Sequence, residues 1–362
     1  MPYHIVIDGC CLGRRKTGNE TYIRGLLSGL AGLPESSVGV TVLTTPACAD
    51  DLGPHFNRQE IPLGNFVSRN FMRIPSALDA LRAKRGPLLY HATYWTRFWD
   101  AVPKIVTIHD LSFVSLPSGF RTHERMVYRK LIRAAANGAR HILTVSEFSK
   151  QELMEKWQIP AEKITVTYEA ADACFRLPES QAPTSSAPYL LSVGNLHPRK
   201  NLVRLLKAFV KLKLEAKLPH RLRIVGQKAW LYDEIFDEVR RRKLEAEVEF
   251  TGYVSQQDLV WLYQNAAVFI YPSLYEGFGL PVLEAMACGC PVVCSSTTSL
   301  PEVAGDAAEL VDPHSEDELA RGIIAALGRR DELRSTGVAR AASFSWEKCA
   351  QETAAAYVKI GL

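Results

Sequence analysis

Short apolar, β-branched runs recur along the chain with amphipathic stretches between them. In the first half they are HIVIDG from His4, VGVTVLTT from Val38, PLLYHAT from Pro87, KIVTIHD from Lys104, ARHILTVS from Ala139 and KITVTYE from Lys163. Runs this short, alternating with helical patterns, predict the strands of a parallel sheet with crossover helices. The stretch 122–138 predicts one such helix, with Met126, Val127, Leu131, Ile132 and Ala135 on its sheet-facing side and Gly138 at its end.

The pattern breaks at RLPESQAPTSSAP, residues 176–188, where Pro and Ser punctuate a segment with almost nothing to bury. It then restarts with YLLSVG from Tyr189, RLRIVG from Arg221, EVEFTG from Glu247, AVFIYPS from Ala267, PVVCS from Pro291 and AELVDP from Ala308. The expected organisation is an α/β chain of two Rossmann-like domains, 1–175 and 189–343, joined by a linker at 176–188. A final helix, 344–362, is expected to cross back on the first domain through a stripe of Trp346, Ala350, Ala354 and Tyr357. Facing domains of this kind would form an interdomain cleft lined by the carboxyl ends of both sheets, where open α/β folds bind ligands.

Composition narrows the class. With 362 residues, 47% hydrophobic and 23% charged, the chain has the make-up of a water-soluble protein of two domains. The charge balance of 43 basic against 39 acidic residues, 43 − 39 = +4, gives no general field for nucleic acid, so an anionic ligand must be held locally. No apolar run nears the roughly 18 residues of a membrane span, and eight scattered cysteines fit a reducing compartment. A cytoplasmic protein is expected. Cys288, Cys290 and Cys294 lack paired zinc spacing and read as core residues, so no metal site is expected.

The most informative stretch is AVFIYPSLYEGFGLPVLEAMACGCPVV from Ala267. Pro281 suits a first helical turn and Gly289 a helix exit, which predicts a helix over about 281–288. Gly277 and Gly279 allow close backbone approach just before it, and the N–H groups of Phe278 to Val282 would face a bound anion. Glu276 and Glu284 flank this cradle. Carboxylates do not bind phosphate, so their partners would be hydroxyl groups flanking it, those of a sugar on one side and of a ribose on the other. In VGNLHPRKNLVRLLKAF from Val193, Arg199 and Lys200 stand at a helix start, where cations oppose the dipole unless an anion compensates. They would neutralise the diphosphate as its bond to the sugar breaks.

The motif EGFGLPVLE, followed by ACGCPVV and SLPEVAG, resembles retaining glycosyltransferase family 4, whose fold is GT-B. The resemblance extends to VGNLHPRKN, to HD at His109, to SEFS from Ser146 and to TGNETY from Thr17, and is nearest to bacterial mannosyltransferases. It implies a donor set of Gly18, Ser146, Gly194, Arg199, Lys200, Gly252, Tyr253, Val254, Glu276, Gly277, Phe278, Gly279, Leu280 and Glu284, with His109, Glu276, Lys200 and Arg199 serving catalysis. His109 would lie by the transferred sugar and the GYVS loop at Gly252 by the base. Asp110, by contrast, suits capping of the following turn. Asn19 and Glu20 replace the second glycine common in relatives, leaving the role of Glu20 open between acceptor and structure.

The resemblance implies transfer of a hexose, with mannose from GDP-mannose the first choice, from a nucleoside diphosphate sugar to a saccharide or lipid-linked hydroxyl with retained configuration. No cofactor or metal beyond the donor is expected, and no nucleic acid. A UDP-sugar donor is the alternative, as is a nucleotide-sugar epimerase of the same fold, whereas a dehydrogenase would need a GxGxxG after the first strand. FVSRNFMRIPSALDALRAKRG, 66–86, with five Arg or Lys against one Asp, reads as a peripheral membrane contact or a solvated helix. YWTRFWD from Tyr94 offers aromatics for a sugar ring.

Overall fold

Both runs of alternating strand and helix close into parallel sheets. The computed structural model describes residues 3–13, 18–33, 39–49, 52–94, 96, 102–179, 188–229 and 232–361. The first sheet contains β1 (His4–Asp8), β2 (Val40–Thr44), β3 (Asn57–Glu60), β4 (Leu88–Thr93), β5 (Lys104–Thr107), β6 (His141–Thr144) and β7 (Ile164–Val166), in the order β3-β2-β1-β4-β5-β6-β7. The second contains β8 (Tyr189–Val193), β9 (Arg221–Val225), β10 (Val248–Gly252), β11 (Val268–Tyr271), β12 (Val292–Ser295) and β13 (Glu309–Val311), in the order β10-β9-β8-β11-β12-β13. Each order reverses direction once, between β1 and β4 and between β8 and β11. That reversal is the topological switch point at which ligands bind in open sheets. All the expected strands form, and β3 is additional. Its sequence, NRQE, lies at the sheet edge with three of four residues exposed, so it carries no apolar signal.

The chain divides into two compact units, Met1–Glu169 with Ser345–Leu362, and Ala170–Phe344. Residues 170–175 count with the second unit, where the Phe175 ring packs edge-on against Tyr263 at 5.9 Å. Of the expected linker, 180–187 lie outside the described residues, as do Lys16, Thr17, Trp95 and 97–100 of YWTRFWD.

In the second unit, alternate residues of the strands face opposite ways. Leu190, Leu222, Ile224, Val268, Ile270 and Val293 share one core with the helices Leu202–Leu214 and Glu316–Gly328. Helix Leu280–Ala287 packs on the other face, against β11 and β12, so Tyr271 shares its side of the sheet. Cys288, Cys290 and Cys294 are buried free thiols, and burial pushes Cys288 and Cys294 up to about 12.

In the first unit, helix Thr122–Gly138 has the expected bounds, but only its second half is buried, through Ile132, Ala135 and Ala136. Met126 and Val127, expected against the sheet, are 54% and 48% exposed. The terminal helix Trp346–Gly361 belongs to this unit and lies along helix Gly18–Ala31. Its buried residues are Cys349, Ala350, Thr353, Ala356 and Tyr357, while Trp346 and Ala354 are half-buried. The approach is close because two residues of the earlier helix have no side chain. A Cβ on Gly25 would stand 2.1 Å from the Trp346 indole, and one on Gly29 would stand 2.1 Å from the Trp346 carbonyl oxygen.

Candidate active site

At the switch point of the second sheet, the chain leaves β8 through Gly194 and reaches a 3₁₀ turn, Pro198–Lys200, before its helix starts at Leu202. Arg199 and Lys200 therefore sit in this turn, one residue ahead of the helix where the sequence places them. Asn201, at φ 58°, makes the turn into the helix, and its Nδ2 donates to the carbonyls of Pro272 (3.0 Å) and Pro313 (2.7 Å). The loop after β11 is tied to the same turn, since the Leu274 N–H donates to the Arg199 carbonyl at 2.8 Å.

These ties bring one carboxylate between two cations. Arg199 Nη1 lies 2.6 Å from Glu276 Oε2, and Lys200 Nζ lies 2.6 Å from Oε1. Arg199 also donates to the Tyr275 carbonyl, and Lys200 to the Tyr271 hydroxyl. Burial alone would raise the Glu276 carboxyl, but Arg199 and Lys200 outweigh it and hold the group at about 2. Glu276 is thus a carboxylate at neutral pH. Its backbone is fixed by Thr298 and Ser299: its N–H donates to Thr298 Oγ1, and Ser299 Oγ donates to the carbonyls of Glu276 and Phe278.

The loop beyond Glu276 departs in one respect from the expected cradle. Helix Leu280–Ala287 begins after Gly279, at φ 124°, but the Val282 N–H is donated to the Gly279 carbonyl at 2.9 Å. Pro281 has no N–H to offer, so the expected row of donors loses both Pro281 and Val282. Phe278 is buried, with its ring edge-on to Phe344.

Glu284 stands among different neighbours. Its Oε2 accepts from the Tyr263 hydroxyl at 3.1 Å. Burial first, and then the charge of Asp172, pushes its carboxyl up to about 7 against the Tyr263 hydrogen bond. Fields from both glutamates meet at Tyr271, whose hydroxyl titrates well above its ordinary range because it is buried and because Glu276 and Glu284 oppose a second negative charge.

The rim is made of backbone. The Gly194 N–H donates to the Val225 carbonyl (2.8 Å) and the Gly226 N–H to the Gly252 carbonyl (3.0 Å). A Cβ on Gly226 would stand 2.0 Å from the Gly194 carbonyl oxygen, so only glycine lets these strand ends meet. Tyr253 beyond them is 58% exposed and Val254 is half-buried. The sequence analysis missed Gly226, Tyr271, Thr298 and Ser299. A signal existed in the glycine that ends each of YLLSVG, RLRIVG and EVEFTG and in the Ser/Thr run after β12.

The first unit carries a second, unlike neighbourhood. His109, two residues past β5, is 8% exposed. Its ring meets Tyr22 edge-on at 4.7 Å and Tyr94 at 5.3 Å. Nδ1 lies 3.3 Å from Glu169 Oε1, and Nε2 is buried with no hydrogen-bond partner among the described residues. Glu169 is a further residue the sequence did not single out.

Three other expectations change. Ser146 is fully buried and caps helix Glu147–Trp157, its hydroxyl accepting from the Ser149 N–H at 3.0 Å; the donor-binding role expected for it gives way to this cap. Helix Gly18–Ala31 already includes Asn19, while a Cβ on Gly18 would meet open space among the described residues. Glu20 is structural, holding the Gly13 N–H and Arg24. Asp110 does cap its turn, accepting from the N–H and hydroxyl of Ser112. In 66–86 the basic face is uneven: Arg69 and Arg73 are half-buried, while Arg82, Lys84 and Arg85 are exposed along with Val67 and Met72. Among the described residues no helix is long and apolar enough to cross a membrane, and no three His, Cys, Asp or Glu side chains group as a metal site.

Two Rossmann-like units, one with cations gathered at its switch point, make up a fold of the GT-B class. The architecture matches sucrose-phosphate synthase from Thermosynechococcus elongatus with a TM-score of 0.80 at 22% identity, over 99% of both chains. Two family models match the sequence, Glycosyltransferase Family 4 over residues 17–173 and Glycosyl transferases group 1 over 176–341. The O-antigen chain mannosyltransferase B of Escherichia coli is 38% identical over 268 residues, 70% of this chain and 69% of that one. The serotype-specific mannosyltransferase WbdA of Escherichia coli is 31% identical over 224 residues, and the match spans 58% of this chain and 27% of that longer protein. This chain belongs to glycosyltransferase family 4.

Proposed function

We propose that the chain moves mannose from GDP-mannose to a hydroxyl of a saccharide or lipid-linked saccharide, with retention of configuration, during polysaccharide assembly. The observation that carries the reading is the Arg199–Glu276–Lys200 cluster at the switch point of the second sheet. The mannosyltransferase names of its relatives supply the sugar.

A diphosphate brings negative charge to two side chains already held at fixed positions, so little reorganisation is needed when charge develops on the leaving group. Arg199 and Lys200 take that charge, and the N–H groups at the start of helix Leu280–Ala287 add to it. Glu276, relieved of part of its pairing, accepts hydrogen bonds from sugar hydroxyls, and Glu284 accepts them from the ribose. Gly194, Gly252, Tyr253 and Val254 offer backbone to the nucleotide, Gly18 approaches the phosphate, and His109 bonds a sugar hydroxyl. The bond from the anomeric carbon to the phosphate oxygen breaks on the face where the acceptor oxygen bonds. The acceptor's proton passes to the departing phosphate. The exposed cations and apolar tips of 66–86 would hold the enzyme against an anionic lipid surface.

The test is transfer to a mannose-terminated acceptor with GDP-mannose and with UDP-hexoses, the product's anomeric configuration being read by NMR. An α-linked mannoside from GDP-mannose, at a rate unchanged by EDTA, is expected. Preference for a UDP-sugar, an inverted product or isomerisation of the donor without acceptor would overturn the reading.

A further inference from the structure

The His109 ring is held on every side except one. Its own carbonyl accepts from Ser149 Oγ at 2.9 Å, which fixes the backbone. Tyr22 stands edge-on to the imidazole at 88°, and the Tyr22 hydroxyl is itself anchored on Thr107 at 3.0 Å. Tyr94 covers a further side. With position and tilt settled by packing, the remaining choice is which nitrogen carries the proton. An isolated neutral imidazole has no strong external reason to keep it on Nδ1, whereas a carboxylate beside Nδ1 accepts only from an N–H. Glu169, 4% exposed, supplies that carboxylate 3.3 Å away. The opposite nitrogen is the orphan: Nε2 is shut from water and has no partner among the described residues. A buried polar atom left this way costs free energy unless something arrives to bond it.

We infer that Glu169 is a positioning residue that holds the His109 imidazole in its Nδ1–H form, so that Nε2 presents a lone pair to a hydroxyl of the sugar substrate. The inference deepens the role proposed for His109 and rests on it, but the tautomer itself can be read without any turnover. Carboxylate–imidazole pairing elsewhere orients a histidine in the same way, by bonding one nitrogen to define the other. Other titratable groups near the pair are accounted for. His91 lies across Thr107, to which its Nε2 bonds at 2.7 Å, and burial holds it neutral down to about 3. Tyr22 and Cys349, both facing Glu169, are pushed up by burial first and further by other charges including that carboxylate, so they stay protonated at neutral pH. Glu169 is therefore the carboxyl group that faces Nδ1 of His109.

The experiment compares wild type, Glu169→Leu and Glu169→Gln by ¹⁵N NMR of the histidine side chains, with His109 assigned through His109→Gln. Steady-state transfer is measured on the same samples. Wild type is expected to show His109 with the proton on Nδ1. Glu169→Leu should move it to Nε2 and lower kcat at least tenfold. Glu169→Gln, whose amide oxygen still accepts, should restore the Nδ1–H form and recover most of the lost rate. A proton on Nε2 in wild type, or the same tautomer in wild type and Glu169→Leu, would overturn the inference. If Glu169→Leu does not fold, wild type and Glu169→Gln decide it: the inference stands if both show the Nδ1–H form and fails if either shows Nε2–H. These readings hold whichever sugar nucleotide proves to be the donor, so failure of the donor assignment would not be confused with failure here.

Discussion

The two units share a scaffold and differ in what they hold just past the ends of their strands. Each has strands in the same relative order about one switch point, yet the second gathers Arg199, Lys200 and Glu276 there, while the first surrounds His109 and Glu169 with Tyr22 and Tyr94. The arrangement in the second unit is a pair of cations balanced by a single internal acid. That in the first unit is a buried ring with a carboxyl group beside one nitrogen and no partner for the other among the described residues. The contrast teaches that strand order supplies the location, and the residues just past each strand supply the chemistry. Binding a diphosphate calls for fixed cations, whereas binding neutral hydroxyls calls for acceptors in a defined orientation.

That contrast can be broken by substitution. Lys200→Ala removes one of two fixed cations and should lower kcat by about 10²–10³, the usual loss when one preorganised stabilising group is deleted. His109→Ala, which on the proposed function removes one hydrogen bond to a neutral hydroxyl, should cost markedly less in the same transfer assay. Equal losses would erase the distinction between the two neighbourhoods.

A second measurement sharpens the difference between the two glutamates. The Glu276 carboxyl is held at about 2, below its ordinary 4.5, so the stability it contributes is present above pH 4.5 and lost as pH falls toward 2. Glu284 has the opposite sign. Its carboxyl is raised to about 7, so ionising it costs stability, with no cost below pH 4.5 and the full cost above pH 7. Glu284→Gln should therefore melt higher than wild type at pH 8 and lose that advantage by pH 4.5, as thermal melts across this range will show. The smallest effect is expected at Ser146. Removing this cap in Ser146→Ala should cost about 1 kcal/mol in denaturant unfolding.

Much of this was legible because strand ends and glycine loops leave local signals. The Glu276 loop, with Pro281 and Gly289 bounding its helix, could be placed from neighbouring residues alone, and so could Arg199 and Lys200 beside it. Pairings between distant segments could not. Glu169 meets His109 only because the chain returns past β7, and Tyr271 meets Lys200 only because β8 and β11 are adjacent in space. The exposed edge strand β3 offered no apolar pattern to read. Met126 and Val127 misled because the first half of their helix runs beyond the sheet that its second half covers, so apolar spacing there does not mark a core face. Ser146 misled in another way, since a hydroxyl at a strand end suits a ligand and a helix cap equally well.

The Trp346 indole that fits over Gly25 and the Tyr357 phenol beside His91 reach the ribosome exit only after residues 170–344 have been made. During synthesis the opening lobe must wait, lacking its last helix, while the later-encoded lobe can complete its own core first. The buried faces of Tyr22, Ile23 and Leu26 are then partly uncovered in the nascent chain, apolar surface that stays open to wrong contacts until the last helix arrives.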